Sequence, residues 1–501
     1  MTSRTRVVRE FGDFQTPLGL AELVCQRLAA LGVSPDFILE PTCGKGAFIE
    51  AAVGLFGRQI AMNGYELNCN YVSQAEQRLA ELGAPNVRVT AENFFSVDWN
   101  EVVESTTGSV LFLGNPPWVT NAALGVLQSD NLPRKANLNG LSGSDARTGK
   151  SNFDISEWMI QRMLDALAVR GGWIAMIVKT AVARKVMSHQ WQHRRPIAFA
   201  AMYGIDARVW FGAATSACLF VLQLKKGSET TPTCPMFSDL SGREQTGLLG
   251  LLDGRVVPDV REAARSSAYI GTCSLDWRSG VKHDCAEVME LNLQDDGSFT
   301  NGLGESVRLE TNRLFPLVKS TDLSKGRVTG VRKFMLVPQD ALGAATAHLE
   351  LSCPRTFEYL RGHRERLAAR ASSIYRGQPD FSVFGVGNYT FSAYKVAVSA
   401  LHKSPVFRVL GPQDGRPLVT DDTCLMAACR SEAHASLAAH LLNDRTVADL
   451  LRSTTFRDDK RPFKVGTLRR IDLEKVAASL GLGEEWADAA GLVAGPQRSL
   501  W

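Results

Sequence analysis

The chain has 501 residues and a mass of 54.6 kDa, more than one ordinary domain needs. With 45% hydrophobic and 22% charged residues it can bury a real core, which excludes a disordered or fibrous protein. Its net charge of +4 is too small to announce a nucleic-acid partner by itself.

The N-terminal stretch MTSRTRVVREFGDF carries arginines with no apolar segment behind them, so it does not read as a signal peptide. No run approaches the roughly 18 apolar residues of a membrane helix. Helical periodicity begins at Leu18–Leu31, with Leu20, Leu23, Val24, Leu28 and Leu31 on one stripe. Phe37–Leu39 reads as a short buried strand entering a glycine turn, and a helix follows from about Ala47. Ile60–Glu66 is a second strand, Val72–Leu82 a helix, Val87–Thr90 a third strand and Ser109–Leu113 a fourth. A helix over Ile155–Leu167 leads to a strand at Trp173–Val178, and the apolar runs Ile197–Met202 and Cys218–Leu224 close the set. Such alternation predicts an α/β fold, a mostly parallel Rossmann-like sheet with helices on both faces. The polar, turn-rich Lys225–Pro235 is the expected edge of this domain. The expected division is therefore a first domain over 1–244 and a mixed α+β domain over 245–501, with helices near Cys353–Ala371 and Ile471–Leu480. Ten cysteines, scattered from Cys25 to Cys429 without CxxC or His/Cys ligand spacing, predict reduced thiols in a cytoplasmic protein and no metal site.

Two segments carry chemistry. In Phe37-Ile-Leu-Glu-Pro-Thr-Cys-Gly-Lys-Gly-Ala-Phe48 a strand runs through Gly44 and Gly46 into a helix, a turn that lets a ligand approach the backbone. Glu40 stands before the turn, where it can meet a cationic group, and Glu66 ends the next strand, where a carboxylate can take both ribose hydroxyls. S-Adenosylmethionine fits these acids; a nicotinamide cofactor, disfavoured by the incomplete G-x-G-x-x-G pattern, and a plain structural turn remain open. The second segment, Leu111-Phe-Leu-Gly-Asn-Pro-Pro-Trp118, sets Asn115 and Trp118 about two prolines that fix φ and remove two donors. It projects carbonyl acceptors, the Asn115 amide and a flat indole from a rigid loop at a strand end.

With these motifs the chain resembles, over residues 11–224, the TaqI-type (γ-class) adenine-N6 DNA methyltransferases, which use S-adenosylmethionine. The resemblance implies that Thr16, in Phe14-Gln-Thr-Pro17, contacts the methionine end of the cofactor, with Thr42, Cys43, Gly44 and Gly46 around it and Glu66 on its ribose. Asn93-Phe94 takes the place where the family has Asp-Phe at the cofactor's adenine. It also implies that Asn115 and the Pro116 carbonyl hold the amino group of a flipped-out base, beside Pro117, while Trp118 and Phe211 lie on its faces, with Trp210 as the competitor of Phe211 and a core role as the alternative. No Cys nucleophile stands beside the prolines, which argues against cytosine-C5 chemistry. N4-cytosine methylation, and RNA or protein-glutamine methylation with the same pocket, are the alternatives.

Only 96–108 separates the Asn93-Phe94 turn from the fourth strand, so target recognition is expected after the catalytic domain, on double-stranded DNA. Expected phosphate contacts are Arg134 and Lys135 in the polar insertion Asn121–Ser151, and Arg376 and Lys395 in an aromatic and basic stretch over 372–396. Leu351–Asp380 holds Arg355, Arg361, Arg364, Arg366, Arg370 and Arg376, read either as a solvated helix face or as a phosphate-contacting surface. Phe381, Phe384 and Phe391 are expected to be structural. Because no Asp…Glu-x-Lys cluster is evident, any restriction endonuclease would be a separate protein of a restriction–modification or related defence system, in a bacterial or phage setting.

Overall fold

The computed structural model describes residues 14–119 and 154–491. They form two compact units divided between Val260 and Arg261. In the first, α1 (Leu18–Ala30), β1 (Phe37–Glu40), α2 (Ala47–Phe56), β2 (Ala61–Glu66), α3 (Cys69–Leu82), β3 (Val87–Ala91), α4 (Trp99–Glu104) and β4 (Val110–Gly114) come first. Then follow α5 (Ile155–Ala166), β5 (Gly172–Lys179), α6 (Thr180–Gln192), β6 (Ile197–Ile205), α7 (Ala207–Phe211), β7 (Ala217–Leu224), β8 (Thr233–Phe237), β9 (Gln245–Leu252) and β10 (Arg255–Val257). All ten strands join one sheet, in the order β10-β9-β8-β6-β7-β5-β4-β1-β2-β3. β1 to β6 run parallel, and β7 is reversed between β5 and β6.

The sheet is the mostly parallel α/β arrangement expected from the alternation. Its strand order reverses between β1 and β4, and a crevice opens there beyond the strands' carboxyl ends, where Glu40 and Gly114 stand. β4 is buried at every position, as a central strand covered on both faces must be. α1 packs through Leu20, Ala21, Val24, Cys25 and Leu28; Leu23, expected on this stripe, is 41% exposed. The small Ala21 and Cys25 bring that face close to the sheet and turn Leu23 outward.

The units do not divide at 244/245 as expected. β9 pairs along the whole of β8, and β10 along β9, so 245–257 extends the first sheet. Residues 225–235 are thus a turn and the start of β8 rather than a boundary. Pro235 conceals that strand in the sequence, because proline cannot donate to a ladder.

The second unit is α+β. Its strands are β11 (Trp277–Ser279), β12 (Glu290–Leu293), β13 (Phe299–Asn301), β14 (Ser306–Val307), β15 (Leu314–Val318), β16 (Lys333–Leu336), β17 (Tyr394–Ser399), β18 (Arg408–Leu410), β19 (Val419–Thr420) and β20 (Cys424–Cys429). They form a four-stranded antiparallel sheet, β11-β20-β17-β18, and a six-stranded one, β14-β13-β12-β16-β15-β19. The helix expected over Cys353–Ala371 breaks at His363 into α8 (Pro354–Gly362) and α9 (Arg364–Ala368). α10 (Glu432–Leu442) covers β17 and β18, burying Ala435, Ala438 and Leu442 in one core with Trp277, Val396 and Trp486.

Candidate active site

The glycine turn between β1 and α2 is clamped from two sides. The Gly44 N–H donates to Glu66 Oε2 at 2.9 Å, and the Lys45 N–H donates to Gln15 Oε1 at 3.1 Å. Gly44 has φ +52°, and a Cβ there would meet Gln15 Oε1 at 2.6 Å, so the clamp requires glycine. Gly46 serves a different purpose: at φ +83° it begins α2, and a Cβ would press on Ala75 Cβ at 3.2 Å. It lets α2 approach α3 and is not among the residues lining the adjacent cavity.

Above the turn lies a cavity of about 330 Å³. It brings together Thr16, Glu40, Thr42, Cys43, Gly44, Glu66, Asn93, Phe94, Asn115 and Pro117 of the expected site, from segments as far apart as 16 and 117. Phe14, Gln15, Tyr71, Ile155 and Met159 are among the other residues of the wall and were not legible as pocket residues. Glu66 is fixed by backbone donors, Gly44 N on one oxygen and Asn68 N at 2.8 Å on the other. Glu40 is 1% exposed and its Oε2 has no hydrogen-bond partner. Burial, reinforced by the charge of Glu66, pushes the Glu40 carboxyl well above the usual carboxylate range. Asn93 Oδ1 accepts from the Phe95 N–H at 3.0 Å, which holds the turn after β3. Phe94 packs on Trp99 with ring centroids 4.8 Å apart.

The diproline loop is pinned at each step. The Thr42 hydroxyl donates to the Asn115 carbonyl at 3.4 Å. Asn115 Nδ2 donates to the Phe14 carbonyl at 3.0 Å and to Thr16 Oγ1 at 3.2 Å, while Asn115 Oδ1 is buried with no partner. The Trp118 indole N–H donates to the Ile177 carbonyl of β5 at 3.2 Å. Lys179, at the end of β5, donates to the Trp118 carbonyl at 2.9 Å and pairs with Asp154 at 2.6 Å. The Ile155 N–H closes on the Val119 carbonyl at 2.9 Å. Neither Lys179 nor Asp154 stands in a recognisable motif, so the sequence offered no signal for them.

Pro116, Trp118 and Phe211 do not line the cavity. Trp118 is 5% exposed and meets Phe211 at 5.1 Å with the rings at 70°, while Phe14 lies 5.3 Å from Trp118 and 6.0 Å from Phe211. Edges meet faces in this cluster. Trp118 and Phe211 thus touch each other in this structure, with no open slot between them.

Among the expected phosphate contacts, Lys395 is corrected. It is 1% exposed, and Nζ donates to the carbonyls of Ser392 at 2.5 Å and Leu418 at 2.9 Å. Burial pulls its ammonium down to about 7. β17 is a central strand buried on both faces from Lys395 to Ser399, so whichever face Lys395 takes it lies inside the second unit. Arg376 is exposed and has no ion-pair partner among the described residues. Arg134 and Lys135, with the rest of 121–151, lie outside the described residues. Four of the clustered arginines are in ion pairs: Arg355 with Glu310, Arg361 with Glu358, Arg364 with Asp380 and Arg366 with Glu287. Arg370 stacks on Tyr375 and donates to the carbonyls of His283 and Ser382. The cluster is mostly a paired surface, as its solvated-face reading holds. His283 is buried against Glu290 and is structural. Among the described residues, no group of three or more His, Cys, Asp or Glu could hold a metal ion, and no helix is long and apolar enough to cross a membrane.

No family model matches the chain. A Type II methyltransferase, M.NspV of Nostoc sp. (strain ATCC 29411 / PCC 7524), is 39% identical over 469 residues, which cover 93% of this chain and 97% of that protein. The chain belongs to the Type II DNA methyltransferases. Its family is thus that of the methylating enzymes of restriction–modification systems. The fold of the Type IIL restriction–modification enzyme MmeI, solved in complex with DNA, is similar with a TM-score of 0.51 at 13% identity, over 91% of this chain and 65% of that one. The cavity beside the diproline loop joins the glycine turn, the two acids and Asn115.

Proposed function

We propose that this methyltransferase moves a methyl group from S-adenosylmethionine to the exocyclic N6 of an adenine flipped out of double-stranded DNA. The observation that carries the reading is Asn115 Oδ1, a buried acceptor without a partner on the wall of the cavity. An unmet buried acceptor costs about 1–3 kcal/mol, so a ligand that brings an N–H there gains that much in affinity.

The residues fit the cofactor. Glu40 is a buried acid lacking a partner, and a cationic α-amino group would restore its charge. Glu66 is held rigidly on the cavity wall, where its carboxylate would face the ribose hydroxyls, and Asn93 and Phe94 offer an amide and a flat surface to the adenine ring. When bound, S-adenosylmethionine supplies an electrophilic methyl on a sulfonium. Asn115 Oδ1 accepts one hydrogen of the target amino group and the Pro116 carbonyl accepts the other, turning the nitrogen lone pair outward. The two prolines keep that loop rigid, so alignment rather than a strong base does most of the work. A stacked base cannot reach these oxygens, so it must leave the duplex. For Trp118 and Phe211 to lie on the two faces of the base, as the family resemblance implies, Phe211 would have to leave the Trp118 face it meets at 5.1 Å; there the two rings would stabilise the charge developing on nitrogen. We assign recognition of the DNA sequence to the second unit and any cleavage to a separate endonuclease.

Incubation of the purified chain with duplex DNA and the donor, followed by nucleoside mass spectrometry, tests this. N6-methyladenine is expected. N4-methylcytosine, or methylation of RNA or protein glutamine but not of DNA, would overturn the adenine assignment.

A further inference from the structure

We propose that Thr16 is a positioning residue acting through Asn115: with the Phe14 carbonyl it fixes the amide so that Oδ1, and not Nδ2, faces the target amino group. This rests on the amine-methylating reading of the same site. The two ends of an asparagine amide have nearly the same shape and opposite hydrogen-bonding character. Turned one way, Asn115 accepts from an amino group; turned the other, it presents two hydrogens to two hydrogens. The protein therefore needs a lock.

The Phe14 carbonyl sets its direction, and Thr16, whose hydroxyl can accept or donate, holds the amide in place beside it. The Phe14 carbonyl, 3.0 Å from Nδ2, can only accept, so an amide oxygen in that place would face another oxygen. Thr16 Oγ1, at 3.2 Å, takes the second N–H of the same nitrogen. Both hydrogens of Nδ2 are then used, and Oδ1 alone is left on the cavity. The two sides of this lock are 99 residues apart in sequence, Thr16 leading into α1 and Asn115 leaving β4. Thr16 also lines the cavity, which gives the hydroxyl a rival assignment as a cofactor contact.

Single-turnover transfer and calorimetric cofactor binding separate the two assignments. Thr16→Val deletes the acceptor while keeping the shape, and Thr16→Ala deletes it without a branched side chain, should Val fail to fold. The expected result is a transfer rate about tenfold lower at saturating cofactor, the worth of one neutral hydrogen bond to a buried amide. Cofactor Kd should stay within about twofold, and Thr16→Ser should restore the rate. A wild-type rate in the Val or Ala variant overturns the proposal. So does a defect that saturating cofactor removes, since the hydroxyl would then act on the cofactor. A wild-type chain that transfers no methyl to DNA would sink the functional reading instead, and a cytosine amino product would change the base while leaving the Thr16 comparison intact.

Discussion

Lys179→Met is the most informative perturbation of the loop. The ammonium lies 2.6 Å from Asp154 Oδ2 and 2.9 Å from the Trp118 carbonyl, joining the strand after which the loop is anchored to both flanks of the loop. Asp154 is 7% exposed and Lys179 25% exposed. Breaking a buried ion pair from one side costs about 3–5 kcal/mol, because the other charge stays buried. Here Asp154 Oδ1 keeps the Ser156 hydroxyl at 2.6 Å, and the lysine is reached by water, so about 2 kcal/mol is the fitting estimate. Urea unfolding should show that loss as a lower midpoint with an unchanged slope. The double variant Lys179→Met/Asp154→Asn should recover most of it, since no charge is then stranded. Methyl transfer should fall with little change in cofactor affinity, because the cation touches the Trp118 side of the loop and not the acids of the cavity. A single variant within about 0.5 kcal/mol of wild type, the size of a neutral surface change, would refute the reasoning.

Asn115→Ala should leave cofactor binding, read by calorimetry, nearly intact while abolishing transfer; retained turnover would remove the loop from the chemistry. Burial holds the Glu40 carboxyl well above the usual carboxylate range in the free protein, so a cationic group bound beside it should lower it and release protons at pH values between the free and bound positions, read as an observed enthalpy that changes with the buffer's ionisation enthalpy. Because the folded value lies above the ordinary 4.5, Glu40 costs the free protein stability as pH rises from there towards its folded value, and Glu40→Gln should flatten that slope. Lys395 works in the opposite sense: with an ammonium pulled from 10.5 to about 7, the unfolded chain holds the extra proton in between, so stability gains as pH rises through that window. Lys395→Met should erase the gain and leave DNA affinity unchanged, whereas Arg376→Ala, if Arg376 meets a phosphate, should reduce the salt dependence of DNA binding by about one counterion.

The alternation of strand and helix and the two chemical segments were legible in the sequence because they are local. A glycine turn after a strand, or two prolines after another, declares its backbone geometry in a few residues. The strand set of the parallel sheet followed from runs such as Leu111–Leu113 and Ile174–Val178, which are fully buried. α6 did not show itself, since Thr180–Gln192 mixes buried Arg184 and Gln190 among its apolar residues, and β8 was hidden by Pro235. Lys395 looked like a phosphate contact beside aromatics, yet β17 sits between two strands and is buried on both faces, which puts it in the core.

By itself, then, the amino-acid order determined which segments carry glycine, acid and diproline chemistry and that they end strands of one sheet. Only the tertiary structure decided what each polar atom faces. Asn115 could have offered either end of its amide until Phe14 and Thr16 were brought across to it, and Lys179 had no role until β5 placed it under the Trp118 carbonyl. The reason is one of range: backbone geometry is set by neighbours along the chain, whereas a hydrogen-bond partner is set by whichever residue folding delivers within about three ångströms.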